Sequence, residues 1–270
     1  MPQVELNQVR DLNVVDDQWN SLYKVGSAAA WIAVLIFRRW LGEEFLLLRA
    51  IGIIRVGPRT IPTSVADWFT LLQTNPLVGL TLLNFFDMVN YVLVGLIFLG
   101  LYAALRTANK SYMTLAAALG FVGVAVYLAS NQAFSMFSLS NQYASATTDA
   151  QRSTLLAAGQ ALLAMQDPNV LGPCTMGFLL VTLAGLVVSA VMLRSGIFGK
   201  TTAYAGILAN AFGLGYPIGV AVAPKTVVIP IVATCLSVSA CFLVIWYIGI
   251  ARRLFQLRSN PSQGAFVKSR

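Results

Sequence analysis

The stretch 76-PLVGLTLLNFFDMVNYVLVGLIFLGLYAALR-106 decides how this chain is read. Between Pro76 and Arg106 a single charged side chain, Asp87, interrupts a run dominated by Leu, Val and Phe. A helix that crosses a membrane needs about 20 mostly apolar residues, and this run is longer than that. It predicts a spanning helix with an ionisable group near its middle. Charge at bilayer depth costs on the order of 2.5 kcal/mol or more, so Asp87 needs a reason to be there.

The rest of the chain has the same character. Hydrophobic residues are 57% and charged residues 10% of the 270, against roughly 45–50% and 25% in soluble domains. Further apolar segments fall at residues 23–37, 112–139, 173–193, 202–223 and 227–250. The expected fold is therefore all-α, a polytopic transmembrane bundle of about six spanning helices with amphipathic interfacial helices. No stretch has the charge density of a separate soluble domain. The organisation reads as a polar segment over 1–22, one bundle domain over 23–257 and a basic tail over 258–270. The first apolar segment is short, about 22 Å as a helix, so it must borrow Trp19 and Leu22, continue past Arg38 and Arg39, or thin the bilayer locally.

Lys and Arg orient such a chain. Six crossings put Arg10, Lys24, Arg106, Lys110, Arg194, Lys200 and the basic tail on one face. The other face receives Arg38, Arg39, Arg49, Arg55, Arg59, Arg152 and Lys225. Both termini are expected in the cytoplasm of a multi-pass cell-membrane protein. Arg38 and Arg39, directly after the first segment, favour the reverse orientation locally. A re-entrant pass within residues 41–56, or a first segment that fails to cross, would relieve that conflict. No cleavable signal peptide is expected, because residues 1–22 are polar and no small-residue cleavage site follows.

The net charge of +8 belongs to helix ends. It points to the bilayer, with anionic lipid at the cytoplasmic face, and to no nucleic acid. Arg252, Arg253 and Arg258, after Trp246 and Tyr247, read as a lipid-facing anchor. A membrane-protein partner or a second copy of the chain is the remaining candidate partner.

Histidine is absent, which removes His-ligated haem and zinc, Ser-His and Cys-His nucleophiles and His proton relays. Cys174, Cys235 and Cys241 have no metal-ligand spacing. Aspartyl proteolysis needs two facing carboxylates, and Asp16, Asp17, Glu43 and Glu44 lie outside the apolar segments. No phosphate-cradling GxxxxGK[ST] occurs. No enzyme, cofactor or metal site is expected.

In Ser64-Val-Ala-Asp67 and Thr148-Asp-Ala-Gln151 a hydroxyl residue precedes a carboxylate or amide by three positions, which is a capping-box signature. Trp68, Phe69, Leu71 and Leu72 follow the first, and Leu155, Leu156, Leu162 and Leu163 the second. Both predict amphipathic helices at the non-cytoplasmic surface that could together cap the bundle.

At 100° per residue Asn84, Asp87, Asn90 and Tyr91 share an arc of about 120°. Antiparallel packing brings Ser130, Asn131 and Gln132 to a similar depth, and Asn210 arrives from the other side. The expectation is one buried cluster of Asn84, Asp87, Asn90, Asn131, Gln132 and Asn210. It can coordinate a cation or carry a proton, or it can simply hydrogen-bond helices together. Gly213, Gly215, Pro217 and Gly219 predict a kink or break in the fifth segment. Gly215 and Gly219 also suit close helix contact.

Three stretches carry a family resemblance: Leu83-Asn-Phe-Phe-Asp87-Met-Val-Asn-Tyr91; Met192-Leu-Arg-Ser-Gly-Ile-Phe-Gly-Lys200 continued through Gly206-Ile-Leu-Ala-Asn210 to Gly219; and Trp246-Tyr-Ile-Gly-Ile-Ala-Arg-Arg-Leu-Phe255. The chain resembles, from about residue 23 to 257, a prokaryotic membrane protein family catalogued as domain of unknown function 4386. The resemblance implies a compact helical bundle in a prokaryotic cytoplasmic membrane and no assigned activity. The first functional expectation is a non-enzymatic structural or accessory component of a membrane assembly. The alternative is a small transporter or channel for a cation, proton or small solute.

Overall fold

The computed structural model describes residues 19–37, 62–165, 171–222 and 225–259, and within the last stretch the side chains of 232 and 234–258. Arg38, Arg39, the segment 41–56, residues 1–18 and the tail beyond 259 lie outside the described residues. The described elements are helices: α1 (Trp19–Phe37), α2 (Val65–Thr74), α3 (Pro76–Leu82), α4 (Phe85–Leu105), α5 (Lys110–Ser130), α6 (Ala133–Ser145), α7 (Asp149–Met165), α8 (Pro173–Ser195), α9 (Lys200–Gly213), α10 (Gly215–Val222) and α11 (Lys225–Ser259). Among the described residues six stretches are long and apolar enough to cross a membrane: Trp19–Phe37, Phe85–Leu105, Lys110–Ser145, Pro173–Ser195, Lys200–Val222 and Thr234–Arg258. The all-α polytopic bundle is the fold.

Two expected spans are interrupted, and both interruptions matter for the site. The run from Pro76 does not continue as one helix. Leu83 N–H turns back to the Gly79 and Leu80 carbonyls, each at 3.1 Å, and closes α3. Asn84 then takes φ 65°, the left-handed conformation that Asn tolerates better than most residues. A fresh helix starts at Phe85. Its 21 residues make about 31 Å, a full crossing on their own. Asp87 therefore sits in the first turn of α4 and not near the middle of a spanning helix. The third span breaks in the same manner. Asn131 is extended, and its side-chain oxygen accepts the Ala133 N–H at 3.0 Å, separating α5 from α6. Since α4 begins and α5 ends at these breaks, both fall at one end of the bundle.

The main core joins Ala29, Ala30 and Ala33 of α1, Leu101 and Leu105 of α4, Met113 and Ala116 of α5, Val188 and Met192 of α8, Ala203 of α9 and Ile250 and Leu254 of α11. Alanine and glycine are frequent on the facing surfaces because close backbone approach is what holds helices together in lipid. α5 and α8 form the tightest seam: a methyl group on Gly123 would lie 2.8 Å from the Gly177 carbonyl oxygen. Ser27 of α1 donates to the Ala251 carbonyl of α11 at 2.9 Å.

A second, smaller core lies beside the first. Val65, Trp68, Phe69 and Leu72 of α2 pack with Leu83, Ala133 and Met136, and Leu156, Leu162 and Leu163 of α7 close over them. Ser64 and Asp67 form a complete capping box at the start of α2. Thr148 Oγ1 accepts the Gln151 N–H at 3.2 Å, and Gln151 Oε1 accepts the Thr148 N–H at 3.4 Å, at the start of α7. Gly159 of α7 rests on Val65 and Phe69. α2, α3, α6 and α7 thus form a helical annex that meets the bundle at the two chain breaks.

Candidate functional site

The two breaks bring polar side chains together at the end of the bundle where α1 ends and α4 begins. A cavity of about 300 Å³ lies there, lined by Ile32, Leu35, Ile36 and Phe37 of α1, Thr81 and Leu82 of α3, and Asn84, Phe86, Asp87 and Asn90. Asn84 makes no side-chain cap to α4; it is exposed and lines the cavity. Asn90 is one helical turn beyond Asp87, so both open on the same space.

Asp87 is half-buried. The Tyr127 hydroxyl donates to its Oδ2 at 3.5 Å, the long limit of a hydrogen bond. The carboxylate is therefore not locked into an interhelical link. Its first-turn position also sets it against the unpaired N–H groups of a helix start, which favours negative charge. Tyr127 is fixed from behind by the Tyr91 ring, stacked on it at 3.6 Å and 2°. The Asn131 amide donates to the Asn84 carbonyl at 3.4 Å, tying the end of α5 to the start of α4. Ser130 Oγ stands 3.1 Å from Cys174 Sγ, and Thr175 Oγ1 lies 3.5 Å from the Tyr216 hydroxyl.

The six residues expected in one cluster are divided. Asn84, Asp87 and Asn90 share the cavity, and Asn131 does not line it but is tied to the Asn84 backbone. Gln132 turns away, donating to the Ser130 carbonyl at 3.3 Å. Asn210 is buried elsewhere: its amide donates to Gly206 O at 2.7 Å, and it lines a smaller interior cavity with Asn90 and Tyr91. The predicted break in the fifth span falls at Leu214, between Gly213 and Gly215. It is shallow, because Leu214 N–H still reaches Asn210 O at 3.0 Å and Ile218 N–H reaches Leu214 O at 3.2 Å. Gly213 lies against Thr182, and Gly215 against Cys235, where a methyl group would meet Sγ at 3.0 Å. Pro217 is buried and Gly219 half-buried in α10. Among the basic anchors, Arg252 is exposed and Arg258 lies over the Phe255 ring at 5.8 Å. Arg253 instead turns inward, its Nε donating to the Ile197 carbonyl at 2.6 Å.

Sequence reasoning passed over Tyr127, Phe37 and Phe86. Tyr127 had a signal, since it precedes Asn131 by one helical turn and shares its face. Phe37 and Phe86 had none that separates a cavity wall from a lipid-facing ring. Among the described residues no three His, Cys, Asp or Glu side chains gather as a metal site. The site is chemically simple: one carboxylate and two amides on a mainly apolar wall, at the end of a spanning helix.

These features define a class: a multi-pass α-helical membrane protein with an acidic pocket at one end of its bundle. No family model, no curated protein and no solved structure matches the chain.

Proposed function

We propose that this chain is a small transporter or channel that takes a small organic cation into the Asp87 pocket. The observation that carries this reading is the pocket itself: a lightly held carboxylate on the wall of a cavity of about 300 Å³. Solute sites have this volume and this composition, mostly apolar with a few convergent polar groups. Asp87 offers charge opposite to a cation's, the Asn84 and Asn90 amides can orient a donor, and Phe37 and Phe86 add apolar wall. An accessory role would be served better by a carboxylate fastened between helices. On this reading the pocket sits at the membrane boundary, where an anion costs less than at mid-bilayer. The prokaryotic cell membrane, cytoplasmic termini and anionic lipid against Arg252 and Arg258 belong to the same proposal, as does membership of the family of unknown function.

The test is equilibrium binding of tetraethylammonium to the full chain in detergent, with flux of the same ion into proteoliposomes. Losing a charge-assisted contact of about 1.5–3 kcal/mol should weaken binding by roughly tenfold or more in Asp87→Asn, with the melting temperature little changed. Equal binding by wild type and variant would overturn the reading. A second reading, an accessory subunit, is favoured by the annex of α2, α3, α6 and α7, whose apolar faces pack on one another beside the bundle. Stoichiometric retention of another membrane protein after gentle extraction would support it.

A further inference from the structure

The interior cavity of about 70 Å³ differs in kind from the Asp87 pocket, because its surface is almost wholly carbon. Val94, Phe98, Phe178 and Leu243 are among its walls. The polar residues beside them direct their polar atoms elsewhere. Ser239 Oγ donates to the Ala209 carbonyl at 2.7 Å, Asn210 Nδ2 to the Gly206 carbonyl at 2.7 Å, and Thr182 Oγ1 to the Phe178 carbonyl. Asn90 Oδ1, the Tyr91 hydroxyl and Trp246 Nε1 are sealed within the packing. Trp246 Nε1 lies against Gly206, which is not part of the cavity wall. A buried water needs about two to four polar partners, and this space does not offer them. Cavities of this kind stay dry and take apolar matter.

A void inside a packed core is destabilising, and this one adjoins a pocket. Phe37 and Asn90 line both it and the Asp87 pocket. Phe37 ends α1 and meets Tyr247 edge-on, with ring centroids 5.8 Å apart; Asn90 stands one helical turn beyond Asp87. The two spaces therefore lie in series, the first with a carboxylate and the second without, and share one ring and one amide. A charged space followed by an apolar one matches a molecule with a cationic head and an apolar tail.

We propose that the ligand of the Asp87 pocket is an amphiphilic organic cation whose short alkyl end passes Phe37 and Asn90 and fills the interior cavity. This rests on the cation reading of the pocket and narrows it, from small organic cations in general to those with a tail. A cavity of about 150 Å³ takes benzene. By that scale the space of about 70 Å³ has room for roughly three carbons, with the carbons before them spanning the junction.

Equilibrium binding of tetramethylammonium and hexyltrimethylammonium to the full chain in lipid nanodiscs, by isothermal titration calorimetry, tests this. The readout is the ratio of the two affinities, since the head group is common to both ions and partitioning into lipid is common to all variants. Wild type should favour the hexyl ion by roughly tenfold or more. Val94 is buried and lines the interior cavity but not the Asp87 pocket. Val94→Leu adds a methylene to the space and should lower the ratio about fourfold; Val94→Ala enlarges the space and should raise it. One ratio shared by wild type and both variants would overturn the tail site, even where Asp87→Asn weakens both ions. A ratio that follows Val94 while Asp87→Asn leaves both affinities unchanged would uphold the tail site and strike the charged pocket alone. No binding of either ion would overturn both.

Discussion

α5 against α8 and α1 against α4 are both helix pairs in the same core, yet one is sealed and the other opens. In the first, Gly123 and Gly177 bring the two backbones into contact, and Tyr127 packs directly above them. In the second, Gly26 and Gly100 meet in the same way, a methyl on Gly26 standing 3.0 Å from the Gly100 Cα. From that point toward Asp87, about 20 Å along α4, the facing residues become Leu35, Ile36 and Phe37 against Phe86, Asp87 and Asn90. Among the described residues no glycine pair closes that end, and the cavity lies there. Small residues decide where a membrane bundle is solid; large rings and polar side chains decide where it holds space.

The largest expected effect breaks the sealed seam. In Gly177→Ala the new methyl would lie 2.8 Å from the Gly123 oxygen and 2.9 Å from the Tyr127 nitrogen. Both are backbone atoms and cannot swing aside. Overpacking of this kind costs about 1–3 kcal/mol, so a clear fall in melting temperature is expected in detergent. The shift should carry Tyr127, and hence Asp87, out of place. A variant that melts with wild type would show that the seam is not what separates the two pairs.

At the open end the chain break at Asn84 is the next largest. Asn84→Val forces a β-branched residue to φ 65° and should cost about 1–2 kcal/mol, whereas Asn84→Gly should be neutral or slightly stabilising. Chemical denaturation followed by tryptophan fluorescence separates the two. If Val and Gly behave alike, the break is not maintained by the left-handed residue. Smaller still, Ser64→Ala removes the α2 cap and should cost about 1 kcal/mol. Amide exchange should speed up in α2 and leave α5 and α8 unchanged, because α2 packs in the annex core and not in the main one.

Composition made the bundle legible, and apolar run length located its crossings. Ser64, Asp67, Thr148 and Gln151 announced the starts of α2 and α7, since capping is local chemistry. The breaks at Asn84 and Asn131 were hidden, because an Asn inside an apolar run reads equally as a buried polar side chain or as a helix end. That one ambiguity displaced Asp87 from mid-span to the first turn of α4. It also separated Asn210 from the cluster, since a depth counted along unbroken helices places it opposite Asp87. Helical periodicity grouped Asn84, Asp87 and Asn90, which line one cavity although Asn84 is exposed rather than buried, because two of the three lie on one regular helix and Asn84 immediately precedes it. The cavity walls were beyond reach, because they depend on how α1 and α4 side chains pack beyond the Gly26–Gly100 contact.

The pairing of α1 with α4 gives the smallest and most specific prediction. At the closed end the Arg106 guanidinium lies over the Trp19 ring, 4.0 Å from its centroid, so α1 is clamped to α4 at its first turn as well as at Gly26. A cation–π contact here is worth about 0.5–1 kcal/mol near solvent and more when desolvated. Arg106 Nε is also buried without a hydrogen-bond partner, so Arg106→Gln removes an unsatisfied donor together with the clamp. The two contributions oppose, and the melting temperature should fall only slightly. Arg106→Ala removes the same donor and the aliphatic stem that covers Trp19 as well, so it should fall further. If Arg106→Gln also changes tetraethylammonium binding at Asp87, at the far end of α4, then α1 pivots as a rigid lever about Gly26 and Gly100. If binding is untouched, the closed end is fixed by the glycines, and the pocket is shaped locally by Phe37, Phe86 and the turn at Asn84.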